Sequence, residues 1–392
     1  MKRVFMILLL ITVILLGCNH SPAASSDPAT VMTTIPTTDA TETMQTEPSP
    51  DPVSLILEAM TTEEKVGQLF LARCPEQDAV QDIATYHLGG YILFGKDFEF
   101  ETPHSVTETI SSYQSAAKIP MLIAVDEEGG SVTRISCYSA FRDNRFSSLR
   151  KLYAKGGVEA ILSEEAEKCQ LLASLGINVN MAPVCDIATQ KNAFMYGRSL
   201  GEDSEITSQV ISAITELMDE NKIGSVLKHF PGYGNNADTH TGISYDNRGL
   251  EVLKSSDLRP FAAGIEAGCD AILISHTIVN CLDSRFPASL SPMAHAYLRE
   301  QMGFSGVIVT DDLVMDAITD QYDTGEAAVL AVLAGNDLLC STDYREQYQA
   351  VLEAVTDGRI SSAQLDAAVY RILRWKIDLG LLTTLNPADQ NQ

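Results

Sequence analysis

Ionisable and hydroxyl-bearing residues follow a series of short apolar runs in this chain of 392 residues. Each run has the length and composition of a buried strand, and the polar residues stand at its carboxyl end. These residues are Asp126 and Glu127, Asp186, Arg198, Lys228 and His229, Ser275 and His276, and Asp311 and Asp312. Because the carboxyl ends of barrel strands share one face, this distribution predicts a single polar site.

The mixture of side chains at this predicted site suits a polyhydroxylated ligand. Carboxylates accept hydrogen bonds and Lys or Arg donate them, so a ring of both kinds can hold many sugar hydroxyls. The chain has neither a glycine-rich phosphate-binding motif nor the residue spacing of a metal site. We therefore predict a site that uses no metal and no cofactor.

Cleavage of a glycosidic bond with retention needs a nucleophilic carboxylate and a proton donor. Asp311 follows Thr310 at a predicted strand end, which favours a fixed position for the nucleophile. His240, with Asp238 two residues before it, can donate and recover the proton. The alternative for Asp311 is a helix N-cap, a position that Asp favours. The alternative for His240 is an ordinary surface histidine.

Eight apolar runs are candidates for the strands that position these residues. They cover 90–94, 120–125, 177–181, 194–196 (a weak run), 225–229, 271–275, 306–310 and 337–340. Helical patterns lie between them at 158–175, 205–221, 251–267, 292–302 and 325–334, and a last helix is predicted over 362–379. This alternation predicts an α/β fold, a (β/α)8 TIM-type barrel in a single catalytic domain. A doubly wound open sheet is the alternative, but no glycine-rich dinucleotide motif follows the first run.

Several of these segments resemble glycoside hydrolase family 3, in its β-N-acetylglucosaminidase branch. The matching segments are Lys228-His229-Phe230-Pro231-Gly232 with Asp238-Thr239-His240, Asp126-Glu127-Glu128-Gly129-Gly130 with Arg134, 176–183, Gly197-Arg198-Ser199 and Thr310-Asp311-Asp312-Leu313. The motifs stand in the order that the family shows. The resemblance runs from about Met60 to Leu379, so it covers the whole predicted catalytic domain.

The resemblance implies a role for each matching residue. Asp311 would form the glycosyl-enzyme ester, and His240, oriented by Asp238, would act as the acid/base. The residues expected to contact the hydroxyls and the acetamido group of the sugar are Asp126, Arg134, Arg198, Lys228, His229 and Met315. The predicted activity is that of a retaining, exo-acting β-N-acetylhexosaminidase that removes terminal β-linked N-acetylglucosamine from a glycan or muropeptide.

Other interpretations of these residues remain open. Arg134 and Arg198 could be structural partners of nearby acids, and Met315 could belong to the core. Asp186 is expected to organise the site rather than to touch substrate. His276 could lie either in the pocket wall or behind it.

Two departures from the family pattern affect this interpretation. Where the family usually has His-Gly-Asp-Thr, this chain has Tyr233-Gly234-Asn235-Asn236, in the loop that carries the predicted acid/base pair. The closure of that loop and the identity of the leaving group are therefore in question. Glu127 stands where the family commonly has Gln, which we expect to add negative charge near the site.

The N-terminal residues predict export and a lipid anchor. Lys2 and Arg3 precede an uncharged apolar stretch over 4–16, which is too short to span a membrane and reads as a signal peptide. The stretch ends in Leu15-Leu16-Gly17-Cys18, which resembles a bacterial lipobox. We predict a signal peptide over 1–17, a lipidated Cys18 with a Ser/Thr/Pro-rich disordered tether over 18–52, and the catalytic domain over 53–392. The expected location is extracytoplasmic, at a bacterial membrane.

The bulk composition limits the classes of partner. A formal net charge of −25 argues against nucleic acid. A monomer that meets the membrane only through its anchor is expected. The alternative functions are a β-glucosidase or xylosidase of the same family, a glycoside phosphorylase, and a non-catalytic lipid-anchored sugar-binding protein. The first of these uses a Glu from an additional domain, for which we see no room before Gln392.

Overall fold

The computed structural model describes residues 51–236, 238–239 and 242–382. Its main element is a sheet of eight parallel strands, in the order β10-β1-β2-β3-β4-β5-β7-β9. These strands are β1 (Phe70–Arg73), β2 (Gly90–Leu93), β3 (Leu122–Val125), β4 (Val179–Asn180), β5 (Gly224–Phe230), β7 (Ala271–Ile274), β9 (Val307–Thr310) and β10 (Leu339–Ser341). The short strands β6 (Tyr245–Asp246) and β8 (Ile278–Val279) form a separate parallel pair.

The two ends of the large sheet meet and make it a barrel. Val309 of β9 forms a parallel bridge with Leu338, the residue before β10. The backbone N–H of Thr310 donates to the Leu338 carbonyl at 3.1 Å, and that of Leu338 donates to Ile308 at 3.1 Å. The prediction of a (β/α)8 TIM-type barrel is confirmed.

Thirteen α-helices occur in the described part of the chain, and most of them surround the barrel. They are α1 (Pro52–Glu58), α2 (Thr62–Gln68), α3 (Ala79–Tyr86), α4 (Pro103–Ala116), α5 (Leu149–Leu175), α6 (Ser204–Glu220), α7 (Leu250–Ser255), α8 (Leu258–Glu266), α9 (Pro292–Ala296), α10 (Asp316–Thr319), α11 (Thr324–Ala334), α12 (Tyr344–Thr356) and α13 (Ser362–Asp378). Side-chain caps begin several of them. For example, Thr61 and Glu64 form a reciprocal capping box at the start of α2.

Two strand predictions were wrong. The weak run at 194–196 belongs to a 3-10 helix, Phe194–Gly197, in which only Met195 is buried. Strand β1 was missed because it follows α2 after a single C-cap residue, Leu69, which is also apolar, so that no polar loop marks the boundary between the two elements. Arg198 consequently lies in the long connection between β4 and α6, directly after the 3-10 helix, rather than after a strand.

The missed strand β1 shifts the strand count by one, and the wrongly predicted strand at 194–196 shifts it back. Asp126 follows the third barrel strand instead of the second, and Asp186 follows the fourth instead of the third. From β5 onward the predicted and observed strand counts agree. The predicted helix over 251–267 is divided into α7 and α8, because the backbone at Ser256 leaves the helical region.

Close packing fixes the start of β5, the strand that carries Lys228 and His229. All seven residues of β5 are buried. A Cβ atom on Gly224 would lie 2.7 Å from the Trp375 ring of α13, so only glycine allows this approach. Helix α13 thus packs directly against the strand and sets its position.

The cysteines in the described residues are thiols. Cys185, Cys269 and Cys340 are buried and pack as small apolar residues.

No helix within residues 51–382, as far as they are described, is long and apolar enough to cross a membrane. The predicted signal peptide, Cys18 and nearly all of the predicted tether lie outside the described residues.

Candidate active site

A cavity of about 590 Å³ opens at the carboxyl ends of the barrel strands. Eight of the nine residues predicted for the sugar site line it, namely Asp126, Arg134, Arg198, Lys228, His229, Asp238, Asp311 and Met315. The ninth, His240, lies outside the described residues. A cavity of this size can enclose one sugar ring together with part of its substituent.

A cage of opposite charges forms one wall of the cavity. The Lys228 ammonium, which is 2% exposed, donates to Asp126 Oδ1 at 2.6 Å and contacts Glu128 Oε1 at 2.7 Å. Arg198 binds the same Glu128 carboxylate through Nε at 3.0 Å and Nη2 at 2.6 Å. We call Asp126, Glu128, Arg198 and Lys228 the charge cage. Its two acids and two bases balance in formal charge.

The charge cage keeps its members ionised although they are buried. Burial alone would raise the pKa of Glu128, but the charges of Lys228 and Arg198 outweigh burial and hold this pKa well below its usual range. Burial would lower the pKa of Lys228, but Asp126 and Glu128 raise it. The pKa of Arg198 is raised in the same way, mainly by Glu128 against the effect of burial. The cage is therefore a fixed set of charged donors and acceptors.

His229 is oriented from behind by Asp186. Its Nδ1 lies 2.7 Å from Asp186 Oδ2, and Arg198 Nη2 lies 3.2 Å from its Nε2. Because a guanidinium can only donate, Nε2 accepts and the proton of the neutral ring is on Nδ1. Asp186 also accepts from the Tyr233 backbone N–H at 2.7 Å. Asp186 thus organises the site, as expected from the sequence, and does not line the cavity.

Arg134 reaches the cavity through a loop that a buried acid organises. Glu127 is fully buried and accepts from the backbone N–H groups of Arg134 and Ile135 at 2.7 and 2.8 Å and from Ser136 Oγ at 2.5 Å. Its carboxylate does not line the cavity. The Arg134 guanidinium lies over the Phe94 ring at 5.4 Å and 3.8 Å from Asp126 Oδ2.

Asp311 and Asp312 are held differently at the end of β9. Asp311 lines the cavity, and its backbone N–H donates to the Ile274 carbonyl of β7 at 3.2 Å. The Asp312 carboxylate accepts from Thr342 Oγ1 at 2.6 Å and from the Thr342 N–H at 3.1 Å. Burial, with a contribution from Asp311, raises the pKa of Asp312. Neither residue is a helix cap, since the next helix, α10, has Met315 as its N-cap.

Two further residues support this turn. His276 is fully buried, with Nδ1 2.7 Å from Ser289 Oγ and Nε2 3.0 Å from the Asp312 carbonyl oxygen. It therefore lies behind the pocket wall and positions the 311–312 turn. Met315 is 6% exposed and faces the cavity.

Hydrogen bonds and ion pairs hold the loop that carries Asp238, both at its stem and near its tip. At the stem, Arg248 donates to Asp246 Oδ2 at 2.6 Å, to Asp257 Oδ2 at 2.7 Å and to the Gly232 carbonyl at 3.2 Å. Nearer the tip, the buried Tyr233 hydroxyl is hydrogen-bonded to the hydroxyl of Thr239, the residue after Asp238. These contacts fix the described part of the loop beside the cavity.

Several residues in or beside the cavity were not predicted from the sequence as site residues. They include Arg73, Phe94, Phe194 and Val314, all of which line the cavity, and Glu128, whose pairing with Lys228 and Arg198 places it in the charge cage. Glu128 does have a recognisable signal, because an acid between a strand end and two glycines cannot lie far from the site. Phe194 was hidden by its assignment to a strand.

In the part of the chain that the structure describes, no group of three or more His, Cys, Asp or Glu side chains is arranged to hold a metal ion.

The barrel and the polar cavity at the carboxyl ends of its strands form a candidate active site, and comparison with known proteins places the chain in a family. Residues 61–375 match the Glycosyl hydrolase family 3 N terminal domain. The chain belongs to glycosyl hydrolase family 3, which confirms the predicted family and the prediction of a glycosidase.

Three relatives illustrate the similarity. A beta-hexosaminidase of Xanthomonas campestris pv. campestris is 34% identical over 308 residues, which cover 76% of this chain and 88% of that protein. A family 3 beta-N-acetylglucosaminidase structure from Paenibacillus sp. has a TM-score of 0.76 and 32% identity, covering 84% of this chain and 65% of that one. The structure of beta-N-acetylhexosaminidase from Beutenbergia cavernae has a TM-score of 0.73 and 26% identity, covering 81% of this chain and 98% of that one.

Proposed function

We propose that the chain is a retaining, exo-acting β-N-acetylhexosaminidase that removes terminal β-linked N-acetylglucosamine. The observation that carries this proposal is that Asp311, Asp238 and three members of the charge cage line one cavity. These members are Asp126, Arg198 and Lys228. The names of its family 3 relatives, a beta-hexosaminidase and a beta-N-acetylglucosaminidase, support this choice of substrate.

The charge cage suits the recognition of a non-reducing terminal sugar. Asp126 is held by Lys228 and approached by Arg134, so its carboxylate is oriented before a hydroxyl arrives to donate to it. Lys228, Arg134 and Arg198 supply donors for ring substituents. The cavity of about 590 Å³ that these side chains line suits one terminal sugar with part of its substituent.

The chemistry would proceed in two displacements. In the first, a carboxylate oxygen of Asp311 attacks the anomeric carbon while His240 gives a proton to the departing oxygen. In the second, His240 takes a proton from water, which attacks the same carbon and releases Asp311. Asp238 would orient the imidazole and stabilise its protonated form.

A chromogenic assay tests this proposal. We expect turnover of 4-nitrophenyl N-acetyl-β-glucosaminide and little turnover of the corresponding β-glucoside and β-xyloside. Asp311→Asn should lower kcat by about 10³-fold or more, equivalent to about 4 kcal/mol, because a neutral amide cannot form the ester. Mass spectrometry of a slow substrate should place the sugar on the Asp311 peptide. Binding of N-acetylglucosamine without turnover would instead indicate a sugar-binding protein, and sugar 1-phosphate formed in phosphate buffer would indicate a phosphorylase.

We further propose that the enzyme acts on peptidoglycan fragments while it is anchored at a bacterial membrane through Cys18. The motif Leu15-Leu16-Gly17-Cys18 supports the anchor. Cys18→Ala should move the protein from the membrane fraction to the soluble fraction, or leave an unprocessed precursor, without lowering the specific activity of the domain. Recovery of the unsubstituted protein in the soluble fraction without lipid would contradict this.

A further inference from the structure

Two charged residues lie on the buried stripe of helix α5. In the second half of this helix, buried residues recur at alternating spacings of four and three, which is the pattern of a helix face that packs on a core. These residues are Ile161, Glu165, Lys168, Leu172 and Leu175. Glu165 and Lys168 are 3% and 4% exposed, and Lys168 Nζ donates to Glu165 Oε2 at 2.6 Å. A buried ion pair thus interrupts an otherwise apolar stripe.

Stability does not account for this pair. Desolvation offsets much of the attraction within a buried ion pair, so apolar residues of similar volume are often equally or more stabilising. In addition, the other carboxylate oxygen of Glu165, Oε1, is buried and has no hydrogen-bond partner among the described residues. A buried polar atom without a partner lowers stability further. The contacts of the pair with its surroundings therefore indicate what it does.

The pair lies directly behind the charge cage. Besides Glu165, the Lys168 ammonium has the backbone carbonyl of Glu128 as an acceptor, at 3.4 Å. A small internal cavity of about 10 Å³ is lined by both members of the pair and by Glu128 and Arg198 of the cage. Neither Glu165 nor Lys168 lines the catalytic cavity. The pair thus contacts the cage without being placed to touch the sugar.

Glu127 gives the ammonium a second reason to be there. This acid is fully buried and stands where the family commonly has Gln, so it adds a negative charge beside the cage. Burial would lower the pKa of Lys168, but the charge of Glu165 and, to a smaller extent, that of Glu127 outweigh burial and raise it. Lys168 therefore acts on two consecutive residues, on Glu127 through charge and on Glu128 through its carbonyl.

The backbone at Glu128 needs such support because the chain turns immediately after it. Gly129, the next residue, has a positive φ. The carbonyl of Glu127 is held by Asn180 Nδ2 at 3.2 Å, and Lys168 holds the following carbonyl, that of Glu128. The direction of the Glu128 side chain, and with it the position of the cage, depends on this peptide.

We propose that Lys168, held by Glu165, is a positioning residue for sugar recognition: it fixes the peptide of Glu128 and thereby the charge cage. This inference rests on the glycosidase function proposed above, because the cage affects turnover only if it holds the sugar. The cage would hold the sugar equally before and during bond cleavage. Loss of Lys168 should therefore raise KM and leave kcat nearly unchanged.

The test compares Glu165→Leu with the double variant Glu165→Leu/Lys168→Met, using 4-nitrophenyl N-acetyl-β-glucosaminide. In Glu165→Leu the ammonium loses its closest acid but keeps the Glu128 carbonyl, so Tm should fall while KM stays near that of the unsubstituted enzyme. The double variant has no ammonium left without its acid, so Tm should return to the unsubstituted value or exceed it. Its KM should nevertheless rise about tenfold, as expected for the loss of a supporting contact behind a binding site. A purely structural pair cannot produce this opposite order of Tm and KM.

A control and a second variant separate positioning from burial and folding. Lys376→Met removes another fully buried ammonium, which is bound to Gln68 Oε1 at 2.6 Å and does not line the catalytic cavity, so KM should stay constant. Lys168→Gln keeps a donor for Glu165, but its shorter side chain loses the bond to the Glu128 carbonyl. KM should therefore rise in Lys168→Gln as well, which answers the question if the double variant folds poorly.

A crystal structure of the double variant tests the position of the cage without any substrate. Glu128 lies 2.7 Å from Lys228 Nζ and 2.6 Å from Arg198 Nη2 in the unsubstituted protein. We expect at least one of these distances to exceed about 4 Å, the limit of an ion pair, in the double variant.

The two proposals fail in different ways. If the unsubstituted enzyme does not cleave the chromogenic substrate, the proposed function is wrong, and the crystal structure still decides the role of Lys168. If the double variant keeps both distances, or cleaves the substrate with the KM of the unsubstituted enzyme, Lys168 does not position the cage and the glycosidase assignment stands.

Discussion

Replacing Glu128 by Gln perturbs the charge cage at the residue shared by Lys228 and Arg198. Gln keeps the size of the side chain and one acceptor oxygen but removes the negative charge. Lys228 would retain Asp126 as a partner at 2.6 Å, whereas Arg198 would lose its only close carboxylate among the described residues. We expect lower stability and a raised KM, because Arg198 would lose the carboxylate that holds it and Lys228 would be held by Asp126 alone.

The contacts set the size of the effect. Glu128 lies 2.7 Å from Lys228 Nζ and 2.6 Å from Arg198 Nη2, and its side chain is 5% exposed. Each contact has a gross attraction of about 6 kcal/mol at an effective dielectric constant of about 20, much of it offset by desolvation. Removing one partner of a buried pair costs about 3–5 kcal/mol. Because Gln can still accept a hydrogen bond, we expect a loss of about 3 kcal/mol, which lowers Tm by about 4 °C for a domain of this size.

The pH dependence of stability shows whether the charge of Glu128 causes the loss of stability in Glu128→Gln. The folded-state pKa of Glu128 is held below its unfolded value. The stabilisation that its charge gives the folded protein is therefore complete above the unfolded pKa, and it declines as pH falls toward the folded pKa. Between pH 6 and pH 3 the difference between the two proteins should therefore shrink by about 2 kcal/mol. Denaturant unfolding at a series of pH values measures it.

A matched control is Asp337→Asn, which removes another buried acid bound to two cations, Arg299 and Arg371. It does not line the sugar cavity, so stability should fall while KM stays constant. A stability difference for Glu128→Gln that is independent of pH, or a KM equal to that of the unsubstituted enzyme, would refute the reasoning.

Three further predictions follow from contacts near and far from the cavity. Asp312→Asn should lower kcat by less than about tenfold in steady-state assays, because Asn can still accept a hydrogen bond from Thr342. This loss is far smaller than the one expected for Asp311→Asn. A larger loss than in Asp311→Asn would reverse the roles of the two residues. Tyr233→Phe should slow substrates with poor leaving groups by about 5–10-fold and activated ones less, since only the former need the acid; equal slowing would contradict this. Burial lowers the pKa of Lys376 to about 7, so stability should rise with pH from about 7 to 10 by up to about 1.4 kcal/mol per unit, and Lys376→Met should flatten that slope in denaturant titrations.

The barrel could be predicted because its strands are apolar on both faces and its loops are not. Runs such as Ala271–Ile274 and Val307–Thr310 are short, β-branched and bounded by polar residues. Strand β1 could not be separated from α2, because the apolar residues Val66 and Leu69 belong to the helix and its cap while Phe70 begins the strand. Apolar periodicity does not show where one element passes directly into the next.

The site could be predicted residue by residue but not as a network. Ionisable residues at strand ends indicated Asp126, Lys228, His229 and Asp311, because burying such groups in a barrel demands partners. Which acid meets which base depends on the relative position of loops far apart in sequence. The pairing of Glu128 with Lys228 joins positions 100 residues apart, and no local pattern encodes it.

The balance of charge within the cage bears on how a carboxylate nucleophile can work in so acidic a chain. In the proposed mechanism, ionised Asp311 approaches an anomeric carbon while other acids lie nearby. Asp126 and Glu128 are matched by Lys228 and Arg198, so the cage adds no net negative charge to the cavity. Asp312 also lines the cavity, but its carboxylate accepts hydrogen bonds from the hydroxyl and the backbone N–H of Thr342. In the proposed mechanism, Asp311 therefore acts beside a cage that is neutral as a whole, and its own charge can stabilise the positive charge that develops as the glycosidic bond breaks.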